Sequence, residues 1–439
     1  MSSTKKALFN TSWLLVEKVI TLGITFLLSI FLARYLAPEG YGQYSYLAAF
    51  IGLLGPFTSL GLNAIVTREI VKGESQHKVL ATSIGFRLIG GVIGALIASF
   101  VALYCFFTAQ DVPIAIEWFI FAGLINIFSA FYVLENYFNA LVASKYCVLV
   151  RVITLIISTI AKVFGLVEML PLEFFLWVMV AEIVIRALMF FVTYVYYNKR
   201  HYEGRILSFN DIDKDYGFTL LKQSKWLILS GFMSVVYLKI DQMMLGSMSG
   251  SVELGIYSVA AKLSEVWYFF PIAVATSFFP KLIKNRENKA LYTKQLETLC
   301  GALLWIAIVI ATIVVLVSDY FVPLLFGVEY VESAAILNVH VWAATFIFMR
   351  AVFSKWLLVE GLVKFSLFTH GIAAVINVTM NLILIPIYGG LGAAIATIVS
   401  YGVSSYFSLW LHYKTRPMAI IMTKAMIFPV TAGLNMARR

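Results

Sequence analysis

Fourteen ionisable side chains interrupt long apolar stretches of this sequence. Ten are cationic (Lys18, Arg34, Arg87, Arg151, Lys162, Arg186, Lys239, Lys262, Arg350 and Lys355) and four acidic (Glu17, Glu182, Asp241 and Glu265). A charge near the centre of a bilayer costs at least about 2.5–3.5 kcal/mol, so such groups face a cavity or a partner. Arg34, Arg151, Arg350 and Lys355 lie near the ends of their stretches, where long stems reach the headgroups. Glu182 and Arg186 are spaced i, i+4, and Lys262 and Glu265 i, i+3, so each pair can neutralise itself on one helix face. Arg87, Lys162, Lys239 and Lys262 are harder to dismiss, with Asp241 close by. Cations outnumber acids among the deep groups, which predicts a water-accessible, electropositive chamber. Its natural guest is an anion, above all a phosphate, which lysine meets as a point charge and arginine as a fork.

Other chemistry is excluded by spacing. Asp211-Ile212-Asp213 matches the metal–nucleotide-sugar motif of some glycosyltransferases but lacks an α/β domain around it. The five histidines (His77, His201, His340, His370 and His412) show no HExxH or clustered spacing, and His340 reads as a packed histidine within a span. Cys105, Cys147 and Cys300 form neither a CxxC pair nor a disulfide framework. No P-loop, GxSxG or dinucleotide fingerprint is present, so no catalytic residue, metal or cofactor is expected.

The elements that must carry these charges follow from composition. Of 439 residues, 61% are hydrophobic and 13% charged, and the mean hydropathy is +0.90. A soluble chain has roughly 45–50% apolar and about 25% charged residues, so a cytosolic enzyme or a nucleic-acid-binding tail protein is ruled out. About 20 apolar residues cross a ~30 Å hydrocarbon core. On that scale about twelve helices are expected, beginning near Thr11, Tyr44, Thr82, Ile114, Tyr146, Leu172, Lys225, Leu254, Leu299, Ser333, Phe365 and Leu391. The apolar stretch from Trp13 to Leu36 runs too far for a cleaved signal peptide. The net charge of +10 is carried by loops on one side. Arg68, Lys72, Lys78, Lys145, Lys199, Arg200, Arg205, Lys214, the cations from Lys281 to Lys294, and Lys364 share that side with Lys5, Lys6, Lys414 and Arg416. The intervening loops have no Lys or Arg, which predicts that both termini are cytoplasmic. The 417–433 stretch, broken by Lys424 and Pro429, suits an interfacial helix better than a thirteenth crossing.

The chain also repeats itself. Gly42-Gln43-Tyr44-Ser45 opens the second span and Gly255-Ile256-Tyr257-Ser258 the eighth, with Pro56 and Pro271 partway along. Six helices per unit make the repeat parallel, about an axis along the membrane normal. The expected organisation is a six-helix lobe over 1–197, a cytoplasmic linker over 198–218, a second six-helix lobe over 219–415 and a cytoplasmic or interfacial tail over 416–439. Two such lobes facing a central cavity suit alternating access by rocking.

Three segments, taken in order, carry a family resemblance. They are Asn10 and Trp13 through Ala33-Arg34-Tyr35-Leu36 to Pro38-Glu39-Gly40-Tyr41-Gly42-Gln43-Tyr44; Asp241-Gln242 through Leu254-Gly255-Ile256-Tyr257-Ser258, Ala260, Lys262 and Leu263 to Phe279-Pro280; and Asn377, Asn381, Pro386 and Gly389 through Gly392-Ala393-Ala394 to Thr397. The chain resembles the polysaccharide (O-antigen repeat-unit) flippases of the multidrug/oligosaccharidyl-lipid/polysaccharide exporter superfamily. That resemblance implies an all-α, two-lobed membrane fold of twelve or fourteen helices around a cavity. It implies transfer of an undecaprenyl-diphosphate-linked oligosaccharide to the outer leaflet of a bacterial inner membrane; the deep cations Arg87, Lys162, Lys239 and Lys262, singled out above by their position, are then the groups expected to hold the diphosphate. It further implies proton or sodium coupling, with Asp241, Glu182 and Glu265 as the titrating groups, and admits a polysaccharide polymerase as partner beside the membrane lipids. Two rivals remain. A cation-coupled drug or small-solute antiporter of the same superfamily would depend on Asp241 or Glu182. A membrane polysaccharide polymerase or ligase would need a sizeable exterior loop, and Asp319–Glu332 is the longest here.

Overall fold

The computed structural model describes residues 3–201, 207–362 and 364–427. Arg205 and the part of the expected tail beyond residue 427 lie outside the described residues. The chain is all-α: the described residues contain α and 3-10 helices and no strand. Eight helices are long and apolar enough to cross a membrane, and a ninth is added if the bent pair Val328–His340 and Ala343–Val359 counts as one span.

Three of these helices are too long to be one crossing. Helix α1 (Ser3–Ser59) has 57 residues, about 85 Å of rise against a ~30 Å core. It is interrupted at Ala37, where φ is 54° and ψ 176°. The cause is the next residue: the ring of Pro38 clashes with a helical conformation before it. The 52-residue helix Lys214–Glu265 breaks at Gly250, and the 42-residue helix Lys364–Ser405 breaks at Gly389, three residues after Pro386. Each break turns one rod into two membrane-scale pieces.

Contacts divide the chain into two compact units, Met1–Val235 and Val236–Arg439. In the first, α1 is followed by α2 (Asn63–Val71), α3 (Gln76–Thr108), α4 (Glu117–Asn126), α5 (Val133–Ala140), α6 (Ser144–Val167) and α7 (Leu172–His201). Its core joins Leu62, Val66, Val79, Tyr137, Phe138, Phe190 and Leu220. Leu220 belongs to α8 (Lys214–Glu265), whose early turns therefore pack with the first unit. The segment before α8 is tied down as well. Asp213 pairs with Lys78 at 2.7 Å, its backbone N–H donates to Thr82 Oγ1 at 3.0 Å, and it accepts from the Tyr216 N–H at 2.9 Å.

In the second unit, α9 (Phe269–Lys284), α10 (Lys289–Phe326), α11 (Val331–His340), α12 (Ala343–Val359) and α13 (Lys364–Ser405) lead to α14 (Arg416–Met426). With 11 residues, α14 is too short to cross. It packs instead on α10, burying Met418, Ala419, Ile421, Met422 and Ala425. Trp305 Nε1 donates to the Ala425 carbonyl at 3.2 Å, and Lys424 pairs with Glu297 at 3.0 Å.

Two predictions follow from these junctions. Gly61 and Gly73 both have positive φ, but a Cβ on Gly61 would lie 2.8 Å from the Ile228 backbone nitrogen, whereas Gly73 has open space. Both alanine variants bear the left-handed penalty of roughly 1–2 kcal/mol; Gly61→Ala should lower the unfolding midpoint in detergent clearly further than Gly73→Ala. The second concerns acid. The Lys78 hydrogen bond, aided by the Tyr216 N–H, holds the Asp213 carboxyl below its ordinary range. A depressed folded-state pKa contributes stability above the unfolded value of about 3.9 and loses it as pH falls through the folded value. The difference in midpoint between wild type and Asp213→Asn should therefore be full above about pH 5 and vanish on acidification.

Candidate functional site

In the first unit, the periodicity of α6 builds a polar seam. Arg151, Ser158 and Lys162 are spaced by seven and then four residues, close to whole turns, so they project along one face. Arg151 answers two carboxylates, Glu17 of α1 at 3.1 Å and Glu135 of α5 at 2.5 Å. Further along, Glu182 of α7 accepts from Ser158 Oγ at 2.8 Å and pairs with Arg186 at 2.5 Å and with Lys162 at 3.7 Å. Two cations thus share one carboxylate. The Lys162 ammonium is buried and lies 5.9 Å from the centre of the Tyr44 ring. Arg186 is more open, with its guanidinium 5.8 Å from the Tyr132 ring centre. Glu182, Arg186 and Tyr132, with Ala48, Ile51, Met179 and Ile183, line a cavity of about 200 Å³.

Arg87 is handled differently. Its Nε donates to the Thr58 carbonyl at 3.2 Å and its Nη1 to Asn63 Oδ1 at 3.2 Å. Thr58 is in the last turn of α1, where carbonyls have lost their helical donors, so the buried guanidinium caps that helix. Asn126 donates to Thr58 Oγ1 at 2.9 Å and Asn136 to Asn63 Oδ1 at 3.1 Å, completing a neutral network. Among the described residues, no carboxylate lies within ion-pair distance of Arg87. Arg151, Lys162 and Arg186 thus meet three carboxylates, Glu17, Glu135 and Glu182, and the guanidinium of Arg87 is the one positive charge of these four left without an ion-pair partner.

The second unit holds a separate group. Lys239 pairs with Glu265 at 3.6 Å, and Lys262 is half-buried nearby in sequence. Asp241 is buried and accepts from the Tyr257 hydroxyl, from Thr397 Oγ1 at 3.3 Å and from the Gln242 N–H at 2.8 Å. His340 stands edge-on to Tyr257 with ring centres 5.8 Å apart. Of the four expected anion-binding cations, Arg87 and Lys162 thus fall in one unit and Lys239 and Lys262 in the other. Lys162 and Lys239 each have a carboxylate partner.

Several groups escaped the sequence reading. Arg350 does not reach for headgroups. It is buried, donates to Thr369 Oγ1 at 2.9 Å and to the Ser404 carbonyl, and lies 2.6 Å from His370 Nε2. That carbonyl is in the last turn of α13, so Arg350 caps a helix as Arg87 does. Arg151 is likewise paired within the bundle, by Glu17 and by Glu135, a carboxylate that lies outside the apolar stretches of the sequence. The i, i+4 spacing marks Arg186 as half of a self-neutralising pair, yet it is the cation that lines the cavity. The i, i+4 spacing was a true signal of the Glu182 pair, but it did not tell which partner faces open space.

Residues 7–286, well over half of the chain, match the family described as polysaccharide biosynthesis protein. The chain belongs to this family. A protein of Shigella flexneri named as an O-antigen transporter is 23% identical over 400 residues, covering 88% of this chain and 92% of that protein. The fold is also that of solved transporters. An inward-facing multidrug resistance MATE family transporter of the MOP superfamily matches with a TM-score of 0.70 at 14% identity, over 90% of this chain and 95% of the other. The lipid II flippase MurJ, in an inward closed conformation, matches with a TM-score of 0.64 at 13% identity, over 98% and 93%. These relatives and neighbours are transporters and a flippase rather than enzymes, and this family member is a multi-pass membrane protein.

One consequence is testable directly. Replacing Arg151 by Met leaves Glu17 and Glu135 without their cation, and removing one partner of a buried pair costs roughly 3–5 kcal/mol. Arg151 is partly exposed, so the lower end of that range is expected in detergent unfolding. Adding Glu17→Gln and Glu135→Gln to Arg151→Met should recover most of the loss.

Proposed function

We propose that this protein is a flippase for a lipid-linked oligosaccharide. It carries an undecaprenyl-diphosphate-linked repeat unit from the cytoplasmic to the outer leaflet of a bacterial inner membrane. The chain crosses twelve times, with both termini cytoplasmic, and its two lobes alternate access to a polar path for the sugars while the lipid tail stays in the bilayer. Family membership supports the substrate class. The observation that carries the reading is the local positive charge at the cavity, where Lys162 and Arg186 share Glu182, together with Arg87, whose hydrogen bonds go only to neutral groups. A diphosphate is the group that such an excess attracts. Arg186, at the cavity, and Arg87 supply forked donors; Lys162, Lys239 and Lys262 add point charges that raise the potential along the path.

The cycle draws on a proton or sodium gradient, and Asp241 is its coupling group. Its carboxylate is buried with hydroxyl and amide donors, whereas Glu182 and Glu265 are each held by lysine. A carboxylate without a fixed counter-ion gains most from taking up a mobile cation. The released product serves a polysaccharide polymerase.

In cells lacking their own flippase for the substrate, Arg87→Gln and Arg186→Gln should reduce surface polysaccharide about tenfold or more, equivalent to ~1.4 kcal/mol. The variants must insert to wild-type levels. Full surface polysaccharide would remove the anion-binding role. Loss of resistance to organic cations in Asp241→Asn cells, with polysaccharide intact, would favour the antiporter.

A further inference from the structure

The two units share one helical plan, and the polar groups that it assembles differ in kind. Helix α1 breaks at Ala37 and α8 at Gly250, with φ and ψ of 54° and 176° against 87° and 177°. Tyr44 follows the first break by seven residues, and Tyr257 follows the second by seven. The separation is 213 residues from break to break and from tyrosine to tyrosine. On α6 and α13, Ser158 corresponds to Asn377 and Lys162 to Asn381, both 219 residues on. The next segment answers each in the same way. Ser158 Oγ donates to Glu182 at 2.8 Å; Asn377 Nδ2 donates to Ser400 Oγ at 3.1 Å, and Ser400 lies 218 residues beyond Glu182. Register and hydrogen bonding make the two corners counterparts.

Their chemistry is complementary. The first corner contains an ammonium, Lys162, fixed between Glu182 and the Tyr44 ring. At the corresponding place, the second has Asn381. Its Nδ2 donates to Asn377 at 3.1 Å, while its Oδ1 is fully buried without a hydrogen-bond partner. The antiparallel register that sets Asn377 against Ser400 brings Asn381, one turn along, to the level of Thr397. Thr397 and Tyr257 both donate to Asp241. The other ionisable groups around Asp241 include Lys239 and Glu265 of α8, which pair with each other, His340 of α11, edge-on to Tyr257, and the phenols of Tyr268 and Tyr401. A carboxylate, two hydroxyls and an unsatisfied amide oxygen form a donor set for a small hard cation. An unsatisfied buried acceptor costs its full desolvation, which a cation at that corner would offset.

We propose that Lys162 is a tethered cation, holding permanently in the first unit the place that a mobile monovalent cation takes in the second, so that only the second unit binds a coupling ion. This rests on the reading of Asp241 as the coupling group and adds the role of its counterpart. Lys162 is then a positioning residue: it orients Glu182, and through Glu182 the Arg186 guanidinium at the cavity, without touching the transported anion.

The test uses the purified full-length protein in detergent, with the unfolding midpoint followed by tryptophan fluorescence. One arm titrates NaCl against N-methylglucamine chloride at constant ionic strength and pH 8. The other varies pH from 8 to 5 without sodium, which distinguishes sodium from protons. Wild type should show a one-site cation-dependent rise in one arm. Asn381→Lys should lose at least tenfold in cation sensitivity while matching the cation-saturated wild-type midpoint, because the ion has become part of the chain. Lys162→Asn should gain a second cation-dependent step, and Lys162→Arg should behave as wild type. A wild-type cation response retained in Asn381→Lys, or left as one step in Lys162→Asn, overturns the tethered-cation role. Absence of any response in wild type overturns the coupling role of Asp241 itself, and the tethered role with it.

Discussion

A cation inside hydrocarbon must be answered by the protein, because neither water nor lipid can do so. The placement of almost every polar group described above follows from that demand. It is met in three ways. Arg151 collects two carboxylates from different helices. Lys162 and Arg186 divide one. Arg87 and Arg350 take none and instead satisfy carbonyls in the closing turns of α1 and α13. The last solution handles two problems together. A helix that ends within the apolar region leaves carbonyls without donors, and a guanidinium supplies several. Such an arginine contributes to stability while its charge remains uncancelled, so the same residue can hold the fold together and favour an anion.

The backbone breaks follow the same logic. A rod of 57 residues cannot stay within one bilayer thickness, so the chain must turn at the surface, where its freed amides can be satisfied. At Gly389 the restarted helix is capped from within: the Gly390 N–H donates to the Glu253 carboxylate at 2.6 Å. In the first unit, the corresponding turn is held by the Tyr35 hydroxyl, which donates to the Leu170 carbonyl at 2.8 Å. Each unit therefore ties the turn before α7, or before the part of α13 that follows Gly389, to residues near the break in α1 or α8. The pieces of a unit are joined by polar bonds at their ends and by apolar contact between them.

Much of this was legible in the residues. Long apolar runs and one-sided basic loops announced a polytopic membrane protein, and Glu182 and Arg186 announced their own pairing by spacing. What stayed hidden depended on which helix passes which. Glu265 looked like the partner of Lys262, three residues away, but it pairs with Lys239 because α8 doubles back at Gly250. Arg350 sits near a span end in the sequence, yet that end is covered by α13. Glu135 lies in a short helix between apolar stretches, so its spacing gives no sign of depth, and only the approach of α6 makes it the partner of Arg151. Spacing along one helix is readable from sequence; spacing between helices needs the fold.

The central claim is that uncancelled positive charge within the helical bundle exists to accommodate a negatively charged lipid headgroup in transit. It is tested most directly in reconstituted vesicles by comparing two fluorescent oligosaccharide lipids, one linked through a diphosphate and one through a neutral glycosidic bond. Leaflet exchange is followed by membrane-impermeant quenching. The account predicts protein-dependent exchange of the diphosphate-linked lipid at least about tenfold faster than that of the neutral one, a difference of ~1.4 kcal/mol in barrier. Equal rates for the two, or exchange of the neutral lipid alone, would contradict it.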